Sequence, residues 1–185
     1  MMMRAIRQSA IAILALIAVF CLAPRADAAS GGEIDARARA TMEDFFNQIW
    51  SGRELANKAA AILIFPTVVK AGIGIGGEYG EGVLHVRGRT AGFYNIISAS
   101  VGFQLGAQAR SVIIMFMTDG ALANFQRTDG WKVGVDGSIT IIAIGAGGQI
   151  DTNSIRSPVI GFIFDQKGLM YNLTLEGSKI SRINR

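Results

Sequence analysis

The sequence predicts an α+β fold, with N-terminal helices packed on a mainly antiparallel, strongly curved or barrel-like β-sheet. Two observations carry that reading. Apolar residues recur at helical spacing between positions 34 and 50, and from position 61 onward the period is that of strands, with many glycines inside the apolar runs. No regular alternation of strands with long helices supports a doubly wound sheet.

In the first helical segment, Ile34 to Trp50, residues Ile34, Ala38, Met42, Phe45, Phe46 and Ile49 collect on one face, while most charged residues fall elsewhere. Ser51 and Glu54 form an S-x-x-E capping pattern, with Trp50 and Leu55 placed for a hydrophobic staple, so a second short helix is expected from Ser51 to Ala59. Ile62–Phe65 reads as a strand closed by Pro66. In Ala71–Gly76 glycines take one face of a strand and side chains the other, which lets a helix, another strand or a ligand approach the backbone. Val101–Gln108 repeats the alternation, with glycines and glutamines on a solvent- or cavity-facing side. Val112–Met117 and Ile139–Ile144 suit strands covered on both faces. Between them Thr118 or Asp119 caps a short helix carrying Ala121, Leu122 and Phe125. Asp165–Gly168 reads as a four-residue hairpin turn between Val159–Phe164 and Leu169–Leu175.

The chain of 185 residues, half of them apolar, is long enough for one well-packed domain. Its first 28 residues read as a secretory signal: Arg4 and Arg7, an uncharged run from Ala10 to Ala23 shorter than the roughly 20 residues of a bilayer span, then Pro24 and Ala26-Asp27-Ala28. Cleavage after Ala28 leaves a domain of residues 29–185, periplasmic or secreted. The lone cysteine, Cys21, would leave with the signal; the bulky Phe20 before it argues against a lipoprotein anchor. The mature chain then has no thiol and no disulfide. Loss of Arg4, Arg7, Arg25 and Asp27 halves the formal net charge of +4, too little to argue for a nucleic-acid partner.

Catalytic and metal chemistry finds little to work with. Gly72, Gly74 and Gly77 match a bare G-x-G-x-x-G, but the next residues, Glu78 to Gly82, are strand-like, without the helix N-terminus that cradles phosphate. His85 is the sole histidine, so one chain assembles no multi-histidine metal site, and no G-x-S-x-G elbow accompanies it. Asp136-Gly137-Ser138 and Asp151-Thr152-Asn153 read as turns rather than calcium loops. No catalytic residue, metal or cofactor is expected, and the chain is read as not an enzyme.

Several strings resemble the SYLF-domain family: Ala59–Pro66, Lys70–Gly77, Gly80–Val83, Met115–Asp119, Gly134–Ser138 and Gly168–Ser178. The resemblance implies non-catalytic lipid binding, with anionic phospholipids or a membrane surface as partner. By position it implies contact through the N-terminal amphipathic helix and nearby basic residues: Phe45, Phe46, Ile49, Trp50, Arg53, Lys58 and Lys70. An interfacial helix gains affinity from buried apolar area and about 1 kcal/mol per basic residue near an anionic surface. The same aromatics equally suit packing on the sheet. Arg87, Arg89 and Arg110 form a second candidate basic surface. The alternative function is a structural or protein-interaction module of the envelope that docks a partner on the glycine-rich strand Gly72–Gly76.

Overall fold

The computed structural model describes residues 29–144, 156–168, 175 and 177–185, the side chains of 73, 74 and 100–105 excepted. Among them, helix α1 (Gly31–Gln48) and helix α2 (Gly52–Lys58) precede a long hairpin of strands β1 (Ala61–Val86) and β2 (Arg89–Phe116). Helix α3 (Asp119–Arg127) and strands β3 (Trp131–Lys132), β4 (Thr140–Ala143), β5 (Val159–Gly168) and β6 (Lys179–Ile183) follow. The sheet is antiparallel except for the β4–β5 pair, and the fold is α+β as expected.

Strand β2 organises the molecule. One edge pairs with β1 along nearly its whole length; the other pairs with β6 over Phe93–Ile97 and with β5 over Gln108–Phe116. Arg87 (φ 49°) and Gly88 (φ 75°) close the hairpin as a two-residue turn, with both residues at the positive φ that matches strand twist.

A hairpin this long cannot stay flat, and the glycines decide where it bends. Between the pairs Ile73–Leu105 and Ile75–Val101, β1 has one intervening residue and β2 has three. A Cβ on Gly72 would lie 2.4 Å from the Cα of Gly76. A straight strand would separate those residues by about 13 Å, so β1 folds back within four residues. Its distal half then crosses its proximal half. Cβ atoms on Gly80 and Gly82 would meet the carbonyl oxygens of Thr67 and Ile64 at 2.8 and 2.3 Å. At Gly80 and Gly82 the glycine face is therefore filled by the chain's own backbone.

Alternation sorts the side chains into two cores. Leu63, Phe65, Val112, Ile114 and Phe116 point inward to meet Phe125 of α3 and Trp131, with the Phe125 ring 4.8 Å from Phe116 and 5.7 Å from Trp131. Ile64, Ile113, Met115, Phe162 and Phe164 point outward and are covered by α1 and α2. Val112–Phe116 is apolar throughout because both its faces are buried, as the unbroken run implied.

Three local expectations change. The working N-cap is Ser30, whose hydroxyl accepts from the Glu33 amide, whereas Ser51 makes no side-chain cap and Trp50 projects into solvent without a staple. Pro66 does not end the strand; it sits in a bulge between Phe65 and Val68, where Ser111 donates to its carbonyl. Asp165–Gly168 is not a turn but the end of β5, with Lys167 and Gly168 paired to Ala109 and Gln108, so the turn-forming residues mark a second bulge. The secretory signal at 1–28, the Asp151-Thr152-Asn153 turn and all of the expected strand from Leu169 except Leu175 lie outside the described residues.

Candidate functional site

The apolar face of α1 is core. Ile34, Ala38, Met42 and Phe45 are buried, and the fully buried Phe45 ring stacks edge-on against Phe162 at 4.8 Å and lies 5.8 Å from Phe164. A Cβ on Gly52 would lie 2.8 Å from that ring, so α2 begins with the one residue that fits over it. Phe46 and Ile49 are half-buried, and the Arg53 guanidinium sits 4.4 Å above the Phe46 ring.

The charges on this side are already matched. Arg53 bonds Glu43, Lys58 bonds Glu54, Arg37 bonds Glu33 and Arg39 bonds Asp35. Of the seven residues the resemblance pointed to, Trp50 is free and exposed, Arg53 and Lys58 are exposed but paired, and Phe45 is unavailable to any membrane. Lys70 is buried on the inner face of β1. They do not form one patch.

The second basic group divides in the same way. Arg87 and Arg89 stand exposed at the hairpin tip, but Arg110 is interior, 2% exposed, and donates to both oxygens of the equally buried Glu78 at 2.8 and 2.9 Å. A charge placed there without that carboxylate would be expensive, so this arginine holds the inner face together and is not a surface cation.

Asp35 ties α1 to the hairpin tip. Its carboxylate accepts from Thr90 at 2.8 Å and from Arg39 at 2.9 Å, and lies 2.7 Å from His85 Nε2. The bond to His85 chiefly, then those from Arg39 and Thr90, outweigh burial and hold its pKa at about 2 against a usual 3.8. A carboxyl lowered on folding stabilises the fold above its unfolded value and loses that contribution as pH falls toward about 2. The shift corresponds to about 2 kcal/mol. Asp35→Asn should lower the unfolding free energy near pH 7 by about 1–2 kcal/mol. The variant should also lose less stability than the parent between pH 5 and pH 2.5, measured by urea titration at each pH.

What the sequence reading missed is an apolar surface on the outside of the sheet, beyond the N-terminal end of α1. Val69, Tyr79 and Ile97 are 45–47% exposed and Ile75 is 72% exposed. Tyr79 and Ile97 are cross-strand partners, and Ile75 precedes Tyr79 by four residues on the same face. Val69, Tyr79 and Ile97, with Pro66 and Ala71, border a groove of about 460 Å³ that reaches Ala29, Ile34 and Arg37 at the start of α1. On its polar side the Tyr79 hydroxyl donates to Glu81, whose carboxylate also accepts from Arg185. That arginine keeps the Glu81 carboxyl below its usual range, while burial first, then Glu81, pushes the Tyr79 phenol up. The signal was present in the alternation of Val69, Ala71, Ile75 and Tyr79 opposite the glycines. It marks the face that faces out.

Among the described residues no group of three His, Cys, Asp or Glu side chains is placed to hold a metal ion, and no helix is long and apolar enough to cross a membrane. Asp136 instead caps its own turn, accepting from the Lys132 amide.

The described residues form an α+β body with an exposed apolar groove on the outside of its sheet. Residues 97–184, from the middle of β2 to the end of β6, match the family model Ysc84, described as Las17-binding protein actin regulator. That match identifies residues 97–184 as SYLF-family sequence. No curated protein matches it.

Proposed function

We propose that this is an exported, non-catalytic phospholipid-binding protein of the bacterial cell envelope, freed of residues 1–28 by cleavage after Ala28. Its contact with anionic membrane is made by the outer apolar face of Val69, Ile75, Tyr79 and Ile97. The observation that supports this is the exposure of four large apolar side chains on the outer face of β1 and β2, beside a groove, in a chain whose residues 97–184 match the SYLF family. The N-terminal helix supports the site from beneath, because its own apolar side is spent on the core. Trp50 and the hairpin-tip arginines are secondary contacts. The actin-regulator description is that of the family; an exported chain does not meet actin.

The test is co-sedimentation of residues 29–185, which contain every described element, with vesicles of phosphatidylglycerol and phosphatidylethanolamine. Burying the remaining half of three side chains is worth about 1 kcal/mol each, so Val69→Ser/Tyr79→Ser/Ile97→Ser should weaken binding on the order of 100-fold. Binding should also weaken as salt rises. A triple variant that sediments like the parent, or no sedimentation with any vesicle at low salt, contradicts the proposal.

A further inference from the structure

A second cavity, of about 340 Å³, lies where α1 and α2 meet β1 and the hairpin tip, and it shares no lining residue with the outer groove. Its apolar lining includes Met42, Ile62 and Ile64, and its polar lining includes His85 and Arg87. That volume is at the lower end of the range for small-molecule sites and is too small for a two-chain lipid.

The two polar groups offer different chemistry. Asp35 is ionised and can only accept, so the His85 Nε2 that lies 2.7 Å from it carries a proton. That fixes the tautomer of the neutral ring and leaves Nδ1 with a lone pair, which no donor among the described residues meets. Arg39 and Thr90 also bond Asp35, so its charge is balanced without help from Arg87. Arg87 is exposed and has no carboxylate partner among the described residues.

An acceptor and a surplus cation, two residues apart beside an apolar wall, select for three features in one small molecule. It needs an anionic oxygen for the planar guanidinium, a hydroxyl for Nδ1 and a compact apolar body for Met42, Ile62 and Ile64. We propose that this cavity binds a small hydroxy acid with an apolar body, its carboxylate on Arg87 and its hydroxyl donating to His85 Nδ1. Asp35 then acts as a positioning residue, holding the ring in the tautomer that accepts.

The probe is phenyllactate, titrated calorimetrically into the full chain, with two analogues that each lack one feature. Hydrocinnamate keeps the carboxylate and lacks the hydroxyl; phenyllactamide keeps the hydroxyl and lacks the charge. Hydrocinnamate should bind about fivefold more weakly than phenyllactate, and phenyllactamide about tenfold or more. Arg87→Gln, at an exposed position, should weaken phenyllactate by the same tenfold or more. Ala56→Leu adds bulk to the cavity from α2 and should abolish binding of both acids, with the circular dichroism of the parent. His85→Leu should bind the two acids equally. The proposal is overturned if phenyllactate does not bind at millimolar concentration, or if either analogue binds as tightly. Parental affinity in Arg87→Gln or Ala56→Leu, or a hydroxyl preference that survives in His85→Leu, would overturn it as well.

Discussion

Gly82→Val is expected to yield a chain that does not fold, and Gly82→Ala one that has lost about 3 kcal/mol or more. The added carbon would sit 2.3 Å from the Ile64 carbonyl oxygen and 2.6 Å from the Phe65 ring. The ring can turn, but the carbonyl cannot. Ile64 is held opposite Ile113 in the ladder, and Gly82 opposite Tyr94, so relief requires the two halves of β1 to separate. Overpacking a core side chain costs about 1–3 kcal/mol, and a clash with backbone belongs above that range because no rotamer relieves it. Gly32→Ala is the comparison: nothing lies within 4 Å of a Cβ there, and helix propensity favours alanine by up to about 1 kcal/mol. Urea unfolding followed by circular dichroism distinguishes the two. A Gly82→Ala variant as stable as the parent would mean that the hairpin does not cross itself.

Removing one partner of the buried Glu78–Arg110 pair should cost about 3–5 kcal/mol. In Glu78→Leu the buried guanidinium loses the carboxylate to which it donates twice; in Arg110→Met the buried carboxylate loses both of those bonds. Glu78→Leu/Arg110→Met removes both charges and should recover most of the loss, giving a coupling energy in the double-mutant cycle of a few kcal/mol. The measurement is again urea unfolding. Additive losses would show that the two side chains do not depend on each other.

Much of the architecture is legible from pattern alone. The spacing of Ile34, Ala38, Met42 and Phe45 gives α1, Thr118 gives the start of α3, and the unbroken run Val112–Phe116 gives the central strand. The site is less legible because one pattern has two physical outcomes. An amphipathic helix presents the same stripe to a sheet as to a bilayer, and only the tertiary structure says that Phe162 and Phe164 receive Phe45. Lys70 and Arg110 read as surface by residue type, yet each stands two residues from an inward valine, Val68 or Val112, and period two puts them inside. Pro66 and Asp165–Gly168 read as ends of strands because bulges and turns use the same residues. The glycines of β1 did announce a close approach; what approaches them is β1 itself.

Whether the outer face of the hairpin, and not the first helix, meets lipid is decided by acyl-chain quenching. Tryptophan is placed at Tyr79 in a Trp50→Phe background, leaving Trp131 as the buried internal reference. The emission is followed on binding vesicles whose lipids carry bromine on their chains. Strong quenching is expected from position 79, well beyond that of a Trp50-containing parent. Quenching of Trp50 with none at position 79 would contradict the outer-face contact and move it back to the junction of α1 and α2.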